Sequence, residues 1–486
     1  MLISLKYFLF FVFTAITYYQ IPHKWRWLFL LISSSLIYIS FIPIYIFVMY
    51  FLIIVDYSVG LLLDKSKGQR KKILLLVSIL STCSALFFFK YFNFFNTNLE
   101  LLAKLIHWNY SAKVLKLAIP LGLSFHTFQS LSYVIEVYRK KQKAERHLGI
   151  YALYVMFFPQ LMAGPIERPY NMLHQFHKKH NFLYQQVVSG LRLMLWGTFQ
   201  KVVIADRLAS VTNLVFDKPS DFTGLSLIVA AFAFSLQIFC DFSGYSNIAI
   251  GAARVLGLNL MINFRRPYLS QSVSEFWRRW HISLSSWFKD YVYIPLGGSK
   301  VGAPRWAINV LITFLLSGLW HGANWTFVFW GGINGLYLVV EKWLGLAESK
   351  ATLVKTLRIG FTFTLVSFTW IFFRANSLPE AFYIVSSLTT NLTGQLQSLF
   401  TINSMQILTL IAEDSQILGL SLINWVAVGS AVTVMYIVHL IEEKRSFGLV
   451  FSSKPIYFRW IAYYLLIISI VYFSFGGQEQ FIYFQF

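Results

Sequence analysis

Leu319-Trp320-His321-Gly322-Ala323-Asn324-Trp325 lies between two apolar runs, near residues 306–320 and 325–340, and the reading of those runs decides the fold. They are not isolated. Similar runs fall near 5–20, 27–42, 44–63, 73–92, 114–138, 187–206, 223–251, 357–373, 418–441 and 460–475. The 486 residues are 57% hydrophobic, 19% aromatic and only 13% charged, where a soluble domain is about a quarter charged. Water cannot solvate this much apolar surface, so lipid is the solvent for most of the chain. Inside hydrocarbon the backbone must satisfy its own polar groups, which helices of about 20 apolar residues do. The expectation is an all-α polytopic membrane protein of about 11–13 spans, with residues 1–486 as a single membrane domain and no internal repeat. Two stretches do not fit simple spans. Residues 149–173 carry Phe158-Pro159 and Ala163-Gly164-Pro165, which break an apolar run and read as re-entrant or interfacial. Residues 263–299 are aromatic but too rich in Arg, Ser and Gly for an ordinary span.

The formal charge is +21, from 41 Lys+Arg against 20 Asp+Glu. In an oily chain this surplus reads as cytoplasmic loops facing anionic headgroups rather than as a nucleic-acid surface. Basic clusters run from Lys65 to Lys72, Arg139 to Arg146 and Lys342 to Arg358, with Lys444, Arg445, Lys454 and Arg459 beyond. No Lys or Arg occurs between Arg374 and Lys444 or after Arg459. The pattern predicts residues 376–417 outside, 442–459 inside, and a C-terminal helix and tail, 460–486, that ends outside. Residues 1–19, with Lys6 and no small-residue cleavage site, read as a retained first span. Cys83 and Cys240 both sit in apolar runs, so neither a disulfide framework nor a metal site is expected.

Against that background three polar stretches stand out. His321 falls in an apolar region where an unpartnered imidazole loses its water hydrogen bonds, so it serves either a structural bond to a neighbouring helix or chemistry. The flanking glycine and aromatic residues favour chemistry. From Glu275 to Gly298, Phe276, Trp280, Leu284, Trp287 and Tyr291 recur at spacings of three or four, which predicts one helix with an aromatic face. Its alternatives are a headgroup anchor or the lining of a polar cavity holding His281. Asp241, in Cys240-Asp241-Phe242-Ser243-Gly244-Tyr245-Ser246-Asn247, should face the protein interior and pair with a cation or donor, as a structural ion pair or as part of a site.

Together these stretches resemble the membrane-bound O-acyltransferases (MBOAT), in the branch typified by alginate O-acetylase. The residues that carry the resemblance are Phe158 to Ile166, Asp241 to Ser246, Phe276 to Gly298, Trp320 to Trp325, Phe373-Arg374-Ala375 and Phe481 to Phe486, in order over most of the chain. Asn247 departs from the pattern, standing where the branch often has Asp. The resemblance implies a ring of helices around a thinned centre, with His321 as the essential histidine and His281 as a second polar position. Asn324 belongs to the same stretch as a structural or site residue.

Acyl transfer, and acetyl-CoA as its donor, are likewise implied by the resemblance. Neutral imidazole suits proton removal from an attacking hydroxyl near neutral pH, which makes His321 the expected general base. His281 would orient the acceptor or polarise the thioester carbonyl. An anionic coenzyme needs cations, and Arg278, Arg279 and Lys289 are the candidates, with Arg265, Arg266 and the Lys342 cluster in competition. Related systems carry a Phe-x-Tyr-Phe ending, here Phe481, Tyr483 and Phe484, whose tyrosine is a candidate acyl carrier, against the plainer role of an interfacial anchor. The implied setting is a bacterial plasma (inner) membrane, a surface polysaccharide such as alginate as acceptor, and an exported serine-hydrolase-like O-acetyltransferase as partner. Peptidoglycan as acceptor is the alternative within the enzyme class. A glycan or lipid transporter is the alternative outside it.

Overall fold

Each long apolar run contains a helix, and several stop beside proline or glycine, as at Pro22 and Gly322. The computed structural model describes all residues except 1–3, 112–113, 121, 162–163, 346–348, 350, 402–415, 475–480 and 483–486. Among the described residues the structure is helical apart from a two-residue hairpin pairing Gln416–Ile417 with Leu420–Ser421. Seven helices are long and apolar enough to cross a bilayer: Tyr45–Lys65, Gly68–Leu105, Tyr184–Asp217, Leu225–Val255, Thr352–Arg374, Leu422–Lys444 and Ile456–Ser474. The other five expected spans also contain helices, but of 16 or 17 residues (Leu5–Gln20, His23–Ile39, Leu123–Tyr138) or of less apolar composition (Ala303–His321, Trp325–Trp343). The run expected from 114 becomes helical only at Leu123, after Pro120 and a left-handed Gly122 at φ 71°.

The chain forms two compact units, Met1–Met194 with Ile248–Ile262, and Leu195–Asn247 with Asn263–Phe486. In the first, Asp56 on the Tyr45–Lys65 helix is fully buried. It accepts hydrogen bonds from Ser78 Oγ (2.5 Å) and Thr82 Oγ1 (3.3 Å) on the Gly68–Leu86 helix. The interrupted stretch is buried here too. The Leu148–Met156 helix stops at Phe157, one turn follows at Phe158–Leu161, and Pro169 opens the next helix. Irregular backbone at such depth needs protein partners, and the Phe158 amide finds one in Ser34 Oγ at 3.0 Å.

In the second unit, Ala303–His321 and Trp325–Trp343 form a helical hairpin. Its crossing is close because both helices present glycine. A Cβ at Gly331 would lie 2.3 Å from Phe314 O, and one at Gly318 would lie 2.2 Å from Phe327 O. The aromatic helix expected from Phe276 to Tyr291 is in fact two, Val273–Arg279 and Ile282–Phe288, followed by a π-turn at Lys289–Tyr293. The break falls at His281, whose φ of 41° is left-handed. Residues 263–265 make it possible by taking over the backbone bonds: Arg265 N donates to Arg279 O and Ile282 N to Asn263 O, both at 2.9 Å. The aromatic spacing is therefore real, but it serves a turn that sends Trp280 and His281 inward, both 1% exposed.

Candidate active site

His321 closes the Ala303–His321 helix, and Gly322 continues as extended backbone. The ring is 5% exposed and stands in an aromatic enclosure: centroids lie 4.8 Å from Trp320, 5.1 Å from Trp330 and 5.4 Å from Phe373. The Gly318/Gly331 crossing brings Trp330 this close. Asn324 does not enter the enclosure as a reacting group. It caps the next helix, accepting from Thr326 N at 3.1 Å and donating to Asn376 O at 2.9 Å.

His281 also contacts Trp320, with ring centroids 6.4 Å apart, so both histidines touch the same indole. Phe242 stands edge-on to His281 at 4.6 Å. The His281 Nδ1 atom is 3.0 Å from Asn263 Oδ1, and Ser283 Oγ donates to that same oxygen at 2.9 Å. Burial pushes the His281 imidazole down to about 3, so the ring is neutral at physiological pH.

Asp241 has both kinds of partner. Its Oδ1 is 2.6 Å from Lys201 Nζ, and its Oδ2 accepts the Ile482 amide at 2.7 Å. Lys201 also pairs with Asp206 at 2.7 Å and is 2% exposed. It lies in a π-turn, Gln200–Ala205, an irregularity that helices often show at working sites. Beside this pair Phe481 packs on Tyr245 (4.5 Å) and Phe242 (5.9 Å), which ties the residues just before the chain end to the His281 side. Tyr483 lies outside the described residues. Asn247 donates to Gln200 Oε1 at 2.8 Å.

A cavity of about 760 Å³ opens beside the hairpin. Trp306, Val310, Thr313 and Ser317 line it from one face of the Ala303–His321 helix. His321 continues that face one turn, about 6 Å, beyond Ser317. Trp277 lines the cavity and touches Trp330 at 5.7 Å, which in turn touches His321. At the other end Lys342 Nζ sits 3.7 Å from the Trp306 ring centroid. Arg278 and Lys289, both exposed, line the same cavity. Arg279 is a correction to the sequence reading. It is not among the lining residues, and its guanidinium forks onto Glu443 at 2.9 and 3.1 Å with Glu275 at 2.5 Å. Arg266 joins the same carboxylate at 2.9 Å.

Asn263, Ser283, Lys201 and Asp206 were not visible as site neighbours in the sequence. Lys201 could have been, since a lone cation inside an apolar run demands a partner. Asn263 carries no such signal.

A nearly buried histidine one helical turn beyond a cavity lined by Arg278, Lys289 and Lys342, within a polytopic helical protein, marks a candidate membrane active site. The chain belongs to the membrane-bound O-acyltransferase (MBOAT) family, whose model matches residues 146–378. It is 37% identical over 379 residues to the probable alginate O-acetylase AlgI of Azotobacter vinelandii, covering 76% of this chain and 74% of that one. It is 35% identical over 365 residues to the peptidoglycan O-acetyltransferase of Helicobacter pylori, covering 69% and 68%. A more distant relative is the teichoic acid D-alanyltransferase of Streptococcus thermophilus, 29% identical over 238 residues and covering 46% and 57%. The protein is therefore a multi-pass membrane O-acyltransferase.

Proposed function

We propose that this enzyme takes acetyl from cytoplasmic acetyl-CoA and passes it across the bacterial plasma membrane for O-acetylation of a polysaccharide such as alginate. The observation that carries the reading is the cavity lined by Arg278, Lys289 and Lys342 and, one helical turn short of His321, by Ser317. Arg278, Lys289 and Lys342 supply charge for the coenzyme's phosphates, as guanidinium and ammonium groups do. The apolar wall of Trp277, Trp306, Val310 and Phe314 suits the uncharged arm. The thioester would then reach the Ser317 end, one turn from His321.

His321 is the general base. Its place at a helix C-terminus favours positive charge developing on the ring, because the unsatisfied carbonyls there carry partial negative charge. An acceptor hydroxyl gives its proton to His321 and bonds to the carbonyl carbon; the C–S bond breaks and the coenzyme thiolate leaves. We assign the first acceptor role to the Tyr483 phenol, because Phe481 and Ile482 are anchored beside Phe242 and Asp241. A separate exported acetyltransferase then completes transfer to the polymer, and the basic clusters mark the cytoplasmic face.

The test is transfer of label from acetyl-CoA to polymer by membranes carrying wild type, His321→Ala or Tyr483→Phe. Both variants should accumulate normally and lose transfer, His321→Ala by about 10²- to 10⁴-fold. Full activity of His321→Ala overturns the mechanism. Full activity of Tyr483→Phe removes the carrier step alone, and label in peptidoglycan instead of an exported polysaccharide reassigns the acceptor.

A further inference from the structure

The hydrogen bonds around Asn263 determine which nitrogen of His281 carries its proton. Asn263 is fully buried, and its Oδ1 lies 3.3 Å from the Ser283 backbone N–H, which can only donate. The Ser283 hydroxyl donates to the same atom at 2.9 Å. The opposite end of the amide, Nδ2, donates to Ser246 Oγ at 3.0 Å. A flipped amide would aim its NH₂ at the Ser283 N–H, so the oxygen must be the atom that faces His281. That oxygen is 3.0 Å from His281 Nδ1 and has no hydrogen to give. In the neutral ring, Nδ1 must therefore bear the proton and Nε2 must be bare. Nε2 is buried and has no hydrogen-bond partner among the described residues. Leaving such an atom unpaired costs about 1–3 kcal/mol, a cost that a ligand donating to Nε2 would relieve.

We propose that Asn263 is a positioning residue that holds His281 as the Nδ1–H tautomer, so that Nε2 accepts a hydrogen bond from a donor group of the acyl acceptor other than the hydroxyl that reacts. This rests on the acyl-transfer reading above and narrows it. A bare Nε2 has no proton to offer a thioester carbonyl, so the carbonyl-polarising role falls away and the acceptor-orienting role remains. The two histidines then divide the work: His281 holds the acceptor through that second donor group, and His321 takes the one proton of the reacting hydroxyl as the new C–O bond forms. Ser283, whose hydroxyl and amide both bind Asn263 Oδ1, fixes the amide that fixes the ring.

Two measurements test this. In histidine-labelled ¹⁵N protein reconstituted in nanodiscs, with His281 assigned by its loss in His281→Asn, Nδ1 should give a protonated resonance and Nε2 an unprotonated one at neutral pH. The reverse pattern, or a doubly protonated ring, overturns the proposal whether or not the enzyme transfers acetyl. In steady-state kinetics Asn263→Ala should lower kcat by about 10²-fold, at the low end of an acid–base contribution, with KM for acetyl-CoA unchanged. Asn263→Asp, which still accepts the Nδ1–H, should recover most of that loss. Equal impairment of both variants, or wild-type kcat in Asn263→Ala, overturns the positioning role. Absence of transfer by the wild type would instead defeat the function reading and leave the tautomer to the resonance experiment.

Discussion

Asp56 in the first compact unit and Asp241 in the second are buried carboxylates held in opposite ways. In the first, Asp56 is met by the hydroxyls of Ser78 and Thr82 on the neighbouring helix, all neutral partners and all buried. In the second, Asp241 is met by a full charge on Lys201 and by the amide of Ile482 near the chain end. Hydroxyl partners fasten one helix to the next and lose little when one is changed. A charge partner ties distant segments to one point, and its removal strands the remaining ions. The first arrangement is that of a scaffold. The second, which adjoins Phe242 and through it His281, is a junction whose pieces come from far apart in the sequence.

The sharpest test of that contrast is Lys201→Met, which leaves Asp206 and Asp241 buried without their cation. It should cost about 3–5 kcal/mol, read as a large drop in melting temperature in detergent. A loss below about 1 kcal/mol would dissolve the distinction. Next comes pH. The folded His281 titrates near 3, well below the usual histidine range, so between that pH and about 6.5 the unfolded chain binds a proton that the folded chain does not. Stability should therefore rise with pH across this window, by up to about 1.4 kcal/mol per unit for this group, and level off above it. Denaturant titrations of His281→Gln should show a shallower slope; an unchanged slope would mean that His281 is not buried neutral. The smallest effect is expected in the first unit. Asp56→Asn keeps an oxygen for Ser78 and Thr82, so it should shift stability by less than about 1 kcal/mol and leave kcat alone.

Much of this was legible in the sequence, for identifiable reasons. Apolar length marks helices strongly, so every expected span contains one, and an imidazole such as His321 in hydrocarbon is conspicuous because it is costly. The misreadings are of another kind. Periodicity from Phe276 to Tyr291 describes which side chains face inward but is blind to a single left-handed residue, and so it smoothed over the break at His281. Charge alone nominated Arg279 for the coenzyme, because the competing Glu443 lies 164 residues away in the chain. Asn263 shows the same limit more severely. Its importance is a matter of which atom of an amide faces which atom of a ring, and no composition or spacing encodes that.

The left-handed backbone at residue 281 has one more consequence. Glycine is the residue most at ease there, so removing the imidazole altogether in His281→Gly relieves the main chain instead of straining it. What remains is a ring-sized pit walled by Phe242, Phe264 and the Asn263 oxygen. Such a pit matches free imidazole in size, and recovery of acyl transfer by His281→Gly membranes on adding imidazole would check the role proposed for the ring.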